Sequence, residues 1–378
     1  MRACGGTRHH ERAVLTRFLL LLGGMSFNVA VEAADQPRGD RGPASHGARS
    51  RLRAIVGRSA AWVAAYALSS TLAGVVVAQP SGPNGNLPLP PDTLRQRLQD
   101  DDFEIADVKG AGGGVMGAKK LRLVFNDGFT TEVKWKEAPS GGDAWNNTPR
   151  REVAAYVVQR LFLDPDDYVV PPAVARCIPF EDYRGIGPTP TPNLLHGRCV
   201  FGSVAAWLQN VHVPDETFQQ DRFKRDPRYA HRAANLNLLT FLIAHRDAKA
   251  SNFLISNDPN NPQLFSVDNG ISFSGAYNIF VEHFDHFEVG GVPRQAVDRL
   301  RKVTADDLAA LGVLGEMRVD ANLVLRSVMP SANADPDKGV RNLDDGIQFG
   351  LTAEEIAGVA ARLQGLLERI DRGELVVF

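Results

Sequence analysis

Polar residues end two apolar stretches in the second half of the chain. The run at 236–244 leads into His-Arg-Asp, with Asn252 five residues after Asp247, and the shorter run at 264–267 leads into Asp268. Charged and amide side chains at such positions are costly to bury for packing alone. Carboxylate and amide oxygens are ligands that Mg²⁺ accepts when it binds phosphates. We therefore expect Asp247, Asn252 and Asp268 to converge on a metal-bound phosphate.

A glycine-rich segment precedes two strand-like runs in the first half. Gly112, Gly114 and Gly117 satisfy the spacing G-x-G-x-x-G, and the residues that follow alternate, turn at Asn-Asp-Gly and alternate again. A dinucleotide-binding loop would be followed by a helix, and a Walker-type loop would carry Lys where this chain has Ala118. Glycines in a loop between antiparallel strands let backbone N–H groups approach phosphate oxygens. A flexible glycine-rich hairpin without a ligand is the alternative.

Two lysines and a glutamate follow in an order that suits phosphate binding. Lys134 and Lys136 share one face of a strand because side chains alternate along it. Glu152 lies in the first turn of an amphipathic helix predicted over 150–163. A strand lysine that grips nucleotide phosphates can be held by such a glutamate. We expect Lys134 to pair with Glu152, with Lys136 as its rival. The alternative for Glu152 is a solvated acid that interacts with the helix dipole.

Two motifs carry a resemblance to a known family. His-Arg-Asp-Ala-Lys-Ala-Ser-Asn at 245–252 has the form of the protein-kinase catalytic loop, and Asp-Asn-Gly at 268–270 stands where typical kinases carry Asp-Phe-Gly. With Glu-Val-Ala-Ala-Tyr in the predicted helix and Val-Pro-Pro soon after it, the chain resembles atypical kinases over roughly residues 104–300. These are the secretory-pathway (Fam20/four-jointed-like) kinases, the type II phosphatidylinositol 4-kinases and the HipA-like bacterial kinases.

The resemblance implies an α+β, two-lobed protein-kinase-like fold. A small antiparallel-sheet N-lobe with one helix would span 92–205, and a larger, mainly helical C-lobe would span 206–378. The usual Ala-Pro-Glu segment, which docks peptide substrates, does not follow Asp-Asn-Gly. The resemblance therefore implies phosphotransfer without specifying a protein substrate.

The resemblance also implies a role for each candidate residue. Asp247 would be the catalytic base, and Lys249 would neutralise charge on the transferred phosphoryl group. Asn252 and Asp268 would bind one or two Mg²⁺ or Mn²⁺ ions. The residues expected to hold ATP are Gly112, Gly114, Gly117, Lys134, Lys136 and Glu152. The implied function is ATP-dependent transfer of the γ-phosphoryl group to a hydroxyl group of a protein, lipid or small-molecule acceptor.

Two other functions stay open. A secreted pseudokinase would keep the fold and serve as a binding module, whereas an AMP-transferring enzyme would bind ATP inverted within the same fold. A separate metal site is an option at His283, Asp285 and His286, although solvated loop charges are the simpler interpretation of these residues.

The first 91 residues differ in composition from the rest of the chain. Residues 1–78 hold ten Arg and four acidic residues, a net charge of +6, whereas the remainder has a net charge of −8 and no nucleic-acid footprint. The runs at 12–33 and 49–80 resemble secretory signals, and the apolar part at 60–78 is also a candidate membrane anchor; buried core helices are the alternative. We expect an exported protein, or a cytoplasmic one if the leader is a start-site artefact.

Cys177 and Cys199 are the two cysteines outside that leader, 22 positions apart. In an exported protein this pair could form a disulfide, and in a cytosolic protein both would be buried thiols. The tail of the chain predicts an amphipathic helix that begins with a capping box formed by Thr352 and Glu355.

Overall fold

The computed structural model describes residues 85–112, 117–144, 147–183, 185–187, 190–273 and 288–378. Three features of the sequence lie outside these ranges: residues 1–84 of the leader with its apolar run at 60–78, Gly114, and the group His283, Asp285 and His286. The last residues of the leader are described, and Leu87 and Leu89 are buried in the core that contains Trp135. The described residues form a mixed α+β fold whose sheets are mostly antiparallel. No helix within the described ranges has both the length and the apolar character needed to cross a membrane.

A five-stranded antiparallel sheet is built from the first half of the described chain, and its strands lie in the order β1-β2-β3-β5-β4. They are β1 (Phe103–Gly110), β2 (Lys119–Phe125), β3 (Thr130–Glu137), β4 (Ala173–Pro179) and β5 (Cys199–Ala206). The predicted glycine hairpin is confirmed, because β1 and β2 pair on either side of the loop at 111–118. The predicted turn before β3 is also confirmed: Gly128 has φ +84°, which a side chain would disfavour, and Asp127 Oδ1 accepts from Phe129 N.

Two helices pack against this sheet. The first is α1 (Pro91–Asp100), whose Leu94 and Leu98 are fully buried in a cluster with Trp135 of β3. The second is α2 (Pro149–Gln159), which confirms the predicted helix. Val153 of α2 packs with residues of β4 and β5, while Tyr156 belongs to the core formed with later helices. Because α2 is apolar on more than one side, it is almost entirely buried.

The remaining helices except α3 (Phe180–Tyr183), whose Tyr183 belongs to the core of the five-stranded sheet, pack around α5 (Pro227–Leu242), which runs through the largest core of the described residues. Asp226 caps α5, since its side chain accepts hydrogen bonds from Arg228 N and Tyr229 N. The other helices are α4 (Gln220–Arg225), α6 (Arg294–Leu300), α7 (Ala305–Ala309) and α8 (Ala353–Asp371). Strands β6 (Val211–His212), β7 (Phe253–Ser256) and β8 (Leu264–Ser266) form a small sheet, and β9 (Gly291–Val292) pairs in parallel with β14 (Val376–Val377).

A four-stranded antiparallel sheet occupies part of the region that the sequence predicts to be mainly helical. Its order is β11-β10-β13-β12, and its strands are β10 (Gly315–Val319), β11 (Leu325–Val328), β12 (Val340–Leu343) and β13 (Gly346–Phe349). Met317 and Ile347 share a core with the five-stranded sheet, and the rings of Phe349 and Phe201 lie 6.0 Å apart. The prediction missed this sheet because strands of four or five residues show too little alternation to be recognised.

Two local predictions can be compared directly with the structure. Cys177 of β4 and Cys199 of β5 form a disulfide, with their Cα atoms 5.4 Å apart. The capping box of α8 is confirmed: Thr352 Oγ1 accepts from Glu355 N, and the Glu355 carboxylate accepts from Thr352 N. The disulfide joins the last two strands of the sheet at its β4 edge.

Candidate functional site

The hairpin of β7 and β8 brings the two polar motifs together. Phe253 at the start of β7 pairs with Ser266 at the end of β8, and Val267 N donates to Asn252 O at 2.9 Å. Because the strands are antiparallel, the loop before β7 and the residues after β8 lie at the same end of the hairpin. Asp268 therefore follows its strand close to Asn252.

Asp247, Lys249 and Asn252 are bonded to one another within the first motif. Asn252 Nδ2 donates to Asp247 Oδ2 at 2.8 Å and to Asp247 O at 2.9 Å. Lys249 Nζ lies 2.9 Å from Asp247 Oδ1, and it donates to Oδ2 at 3.1 Å. The Asp247 side chain is buried, whereas that of Lys249 is half-exposed. An amide on one side and a cation on the other hold this carboxylate in one orientation, which a proton acceptor requires.

Both strand lysines contact Asp268. Lys136 Nζ lies 3.0 Å and Lys134 Nζ 3.4 Å from the same oxygen, Asp268 Oδ1. Asp268 has left-handed backbone angles, φ 63° and ψ 49°, which Asp and Asn adopt more readily than most residues. Burial acts to raise the pKa of Asp268, but the two lysines outweigh burial and hold that pKa well below its usual range. Asp268 is therefore ionised at neutral pH, with a charge that can bind lysine or a metal ion.

Glu152 binds backbone N–H groups instead of a lysine. Its Oε2 accepts from Asn269 N at 2.9 Å and its Oε1 from Gly270 N at 3.1 Å. The prediction that Lys134 pairs with Glu152 is wrong. Among the described residues, both lysines form their ion pairs with the Asp268 carboxylate. Burial is the main reason that the pKa of Glu152 is raised. Two N–H donors satisfy this buried carboxylate, so it acts on the site by holding the loop at 268–270.

Lys136 is the more enclosed of the two lysines. Its side chain is 7% exposed, compared with 24% for Lys134. A Cβ added at Gly270 would lie 3.6 Å from Lys136 Nζ and 3.4 Å from Glu152 Oε1, so these two groups approach the same point. Burial acts to lower the pKa of Lys136, but the surrounding carboxylates, Glu152 first, outweigh burial and raise it. Of the two lysines, Lys136 is therefore the one enclosed beside Glu152, whereas the sequence had favoured Lys134 for that position.

The described residues that flank the glycine-rich segment lie at the end of the sheet that carries Lys136. Lys119, the first residue of β2, pairs with Trp135 of β3. Lys136 follows Trp135, so it lies at the end of the sheet where β2 begins. Gly112 has φ +74° and Gly117 has φ +68°. Because side chains rarely adopt such angles, glycine is required at both positions for the course of the backbone.

Two further buried residues adjoin the site and were not predicted to take part in it. His245 is fully buried, its ring packs edge-on against Phe253, and neither ring nitrogen has a hydrogen-bond partner among the described residues. Burial lowers the pKa of His245 to about 4. The Asn269 side chain accepts from Ser266 Oγ at 2.8 Å. Their place inside the two motifs is the signal that could have identified them.

The oxygen donors of the site fit Mg²⁺ or Mn²⁺ when phosphates complete the ligand set. Asp268 offers a carboxylate and Asn252 an amide oxygen, both hard donors. The described part of the chain contains no group of three or more His, Cys, Asp or Glu residues that could hold a metal ion. Mg²⁺ is usually bound through one or two carboxylates together with substrate phosphates and water. Asp268 and Asn252 would therefore need further oxygen ligands, from phosphate or water, to hold such an ion.

Comparisons with known proteins identify no family. No family model matches the sequence, and no curated protein matches it. A solved structure of a hydra protein, described as the structure of hydra Fam20 with sugar, is similar with a TM-score of 0.45 and 14% sequence identity. The match covers 74% of this chain and 89% of the hydra chain. A likeness this distant assigns no function.

Proposed function

We propose that this protein is an ATP-dependent phosphotransferase that moves the γ-phosphoryl group to a hydroxyl group of an acceptor. One observation carries the proposal: a strand lysine, Lys136, is paired with Asp268, which lies beside the buried, mutually bonded Asp247 and Asn252. Distant segments of the chain supply these groups. Such a set is costly to bury unless a charged ligand uses it.

The proposed arrangement is kinase-like, with lobes at 92–205 and 206–378. The five-stranded sheet with α2 belongs to the first lobe, and the helices around α5 belong to the second. The nucleotide would lie between β3 and the β7–β8 hairpin. The glycine-rich segment would cover its phosphates, since β1 ends and β2 begins at the Lys136 end of the sheet.

Each residue of the site has a role in this proposal. Lys136, with Lys134 beside it, binds the phosphates. Asp268 and Asn252 hold Mg²⁺ or Mn²⁺, which supplies charge neutralisation at the phosphates when bound. Asp247 orients the acceptor hydroxyl and accepts its proton, and the adjacent Lys249 stabilises negative charge on the transferred group. The residues that support these groups are Gly112, Gly114, Gly117 and Glu152.

ATP labelled separately on its α- and γ-phosphates tests the proposal. The protein would be incubated with Mg²⁺ and with protein, lipid and small-molecule acceptors, and Asp247→Asn would serve as the inactive control. Transfer of the γ label alone supports phosphotransfer. Transfer of the α label would show AMP transfer instead, and ATP binding without transfer of either label would show a pseudokinase.

We also propose that the protein is exported, a step for which the disulfide of Cys177 and Cys199 is the supporting observation. Disulfides persist in oxidising compartments and are rare in the cytosol. Thiol alkylation and mass spectrometry of protein from the native source test this directly. Two alkylated thiols at these positions would contradict export, and recovery in the membrane fraction would support an anchor at 60–78.

A further inference from the structure

Three consecutive charged residues at the start of α2 face in two directions. Glu152 accepts the backbone N–H groups that follow Asp268. Arg150 and Arg151 both form ion pairs with Glu355 in the first turn of α8. A single helical turn therefore links the candidate site to a helix that is distant in sequence.

Both carboxylate oxygens of Glu355 are occupied by donors. Oε2 accepts from Arg150 Nη1 at 2.5 Å and from Thr352 N at 2.9 Å, and Oε1 accepts from Arg151 Nε at 2.8 Å and from Arg150 Nη2 at 3.2 Å. The side chains of Arg150 and Glu355 are each 6% exposed. Burial acts to raise the pKa of Glu355, but Arg150 and Arg151 outweigh burial and lower it. Arg150, Arg151 and Glu355 form a buried ion cluster, which we call the α2–α8 clamp.

Arg150 is held in one orientation from several sides. Its Nη1 donates to Gly350 O at 3.1 Å, and its Nε pairs with Asp143. The guanidinium group crosses Gly339 so closely that a Cβ there would lie 2.0 Å from Arg150 Nε. These contacts fix the first turn of α2 against α8 and the loops beside β12 and β13. Because a helical turn is rigid, they also fix Glu152 two residues further on.

Packing alone does not account for the α2–α8 clamp. A buried ion cluster adds little net stability compared with apolar residues of similar volume, whereas two-point contacts between arginine and carboxylate fix orientation. The capping box of α8 needs only Thr352 and Glu355, without either arginine. What the arginines add is a fixed position for α2.

We propose that Glu355 is a positioning residue for the candidate site. Through the α2–α8 clamp it holds Glu152 where that carboxylate accepts the Asn269 and Gly270 N–H groups, and so it sets the loop that presents Asp268. The expected effect on turnover rests on the proposed phosphotransfer, whereas the effect on the two amide hydrogen bonds does not.

The test replaces Glu355 and a matched buried acid with glutamine. Glu355→Gln removes the charge while keeping a side chain that can serve in a capping box. Glu316→Gln is the control, because Glu316 is also buried in the C-terminal segment but bonds to Arg318, Ser331 and Gln348 and not to α2. Glu354→Gln changes an exposed acid in the same turn of α8. Hydrogen–deuterium exchange at 266–273, thermal unfolding and labelled-ATP turnover would be measured for each.

In Glu355→Gln, we expect the Asn269 and Gly270 amides to exchange about tenfold faster relative to β7. We also expect turnover to fall more than nucleotide affinity. Glu316→Gln should leave the exchange ratio unchanged even if it lowers Tm. Unchanged protection of these amides in Glu355→Gln, or an equal acceleration in both variants, would overturn the positioning role.

Two further results keep the proposal separate from the proposed function. If wild-type protein transfers no label, phosphotransfer fails and the exchange ratios still decide the role of the clamp. If the Asn269 and Gly270 amides exchange faster in Glu355→Gln while this variant keeps the turnover of wild type, Glu355 does not position the active groups. Should Glu355→Gln fail to fold, Arg151→Gln removes the more exposed arm of the clamp and must shift exchange at 266–273 in the same direction.

Discussion

Lys136 Nζ lies 3.0 Å from Asp268 Oδ1, which ties the middle of the five-stranded sheet to the residue that follows the β7–β8 hairpin. The proposed phosphate-binding lysine and the proposed metal-binding carboxylate therefore neutralise each other. In the proposed function, a nucleotide with its metal ion would offer each group a new partner, phosphate for the lysine and a cation for the carboxylate. Binding of ATP and binding of Mg²⁺ should consequently be interdependent.

Asp268→Asn should abolish the Mg²⁺-dependent part of the thermal shift that ATP produces. Asparagine keeps the shape of the side chain and tolerates the left-handed backbone at this position, so the variant isolates the loss of charge. The measurement is Tm with Mg²⁺ alone, with ATP alone and with both. Mg²⁺ alone should move the wild-type Tm little, and an undiminished combined shift in Asp268→Asn would show that the metal binds elsewhere.

Lys136→Met should reduce kcat/KM by about 10²–10³-fold, the usual effect of removing one charge-stabilising donor. Lys134→Met is the matched control on the same strand face and should have the smaller effect, because Lys134 is more exposed and lies further from Asp268. Steady-state kinetics of both variants decide between them. A larger loss in Lys134→Met would restore the assignment made from the sequence.

Asp247→Asn should fold, bind ATP with nearly wild-type affinity and lose about 10²–10⁴-fold in turnover. The asparagine carbonyl oxygen can still accept from Asn252 Nδ2, so the loop keeps its main hydrogen bond. Asp258→Asn, an exposed change in the turn between β7 and β8, controls for charge. Turnover close to that of wild type would show that Asp247 is not the catalytic base.

His245 should make the protein less stable in mild acid. Burial lowers its pKa to about 4 from an ordinary 6.5. Between these values the unfolded chain binds a proton that the folded chain does not, so the free energy of unfolding falls as pH falls through this window. The loss should be about 2 kcal/mol between pH 7.5 and pH 5.

Urea unfolding of wild type, His245→Gln and His212→Gln at those two pH values tests this expectation. His212→Gln is the control because it replaces an exposed histidine. In His245→Gln, the loss of unfolding free energy between pH 7.5 and pH 5 should be smaller than in wild type by about 2 kcal/mol. Parallel curves for wild type and His245→Gln would mean that His245 does not remain neutral in the folded protein.

Local chemistry made several elements predictable from the sequence. Asn-Asp-Gly at 126–128 predicted the turn, and the alternation of apolar and polar residues predicted β2 and β3. The capping box of Thr352 and Glu355 predicted the start of α8. Each signal involves residues within a few positions of one another, so it survives without knowledge of the rest of the fold. The β10–β13 sheet lacked such signals, since its strands are short and are stabilised by contacts with the five-stranded sheet.

The sequence alone determined the order and spacing of the candidate residues, because motif spacing is a property of the chain. The tertiary structure decided how they pair. Alternation along the strand places Lys134 and Lys136 on one face, but it does not determine which of them is buried. The position of Glu152 in the first turn of a helix does not determine whether it binds a lysine or two backbone N–H groups. The contacts of Glu152 with the loop after Asp268, and of Arg150 with Glu355, join segments far apart in sequence. Such contacts depend on how the whole core packs, and no local pattern encodes them.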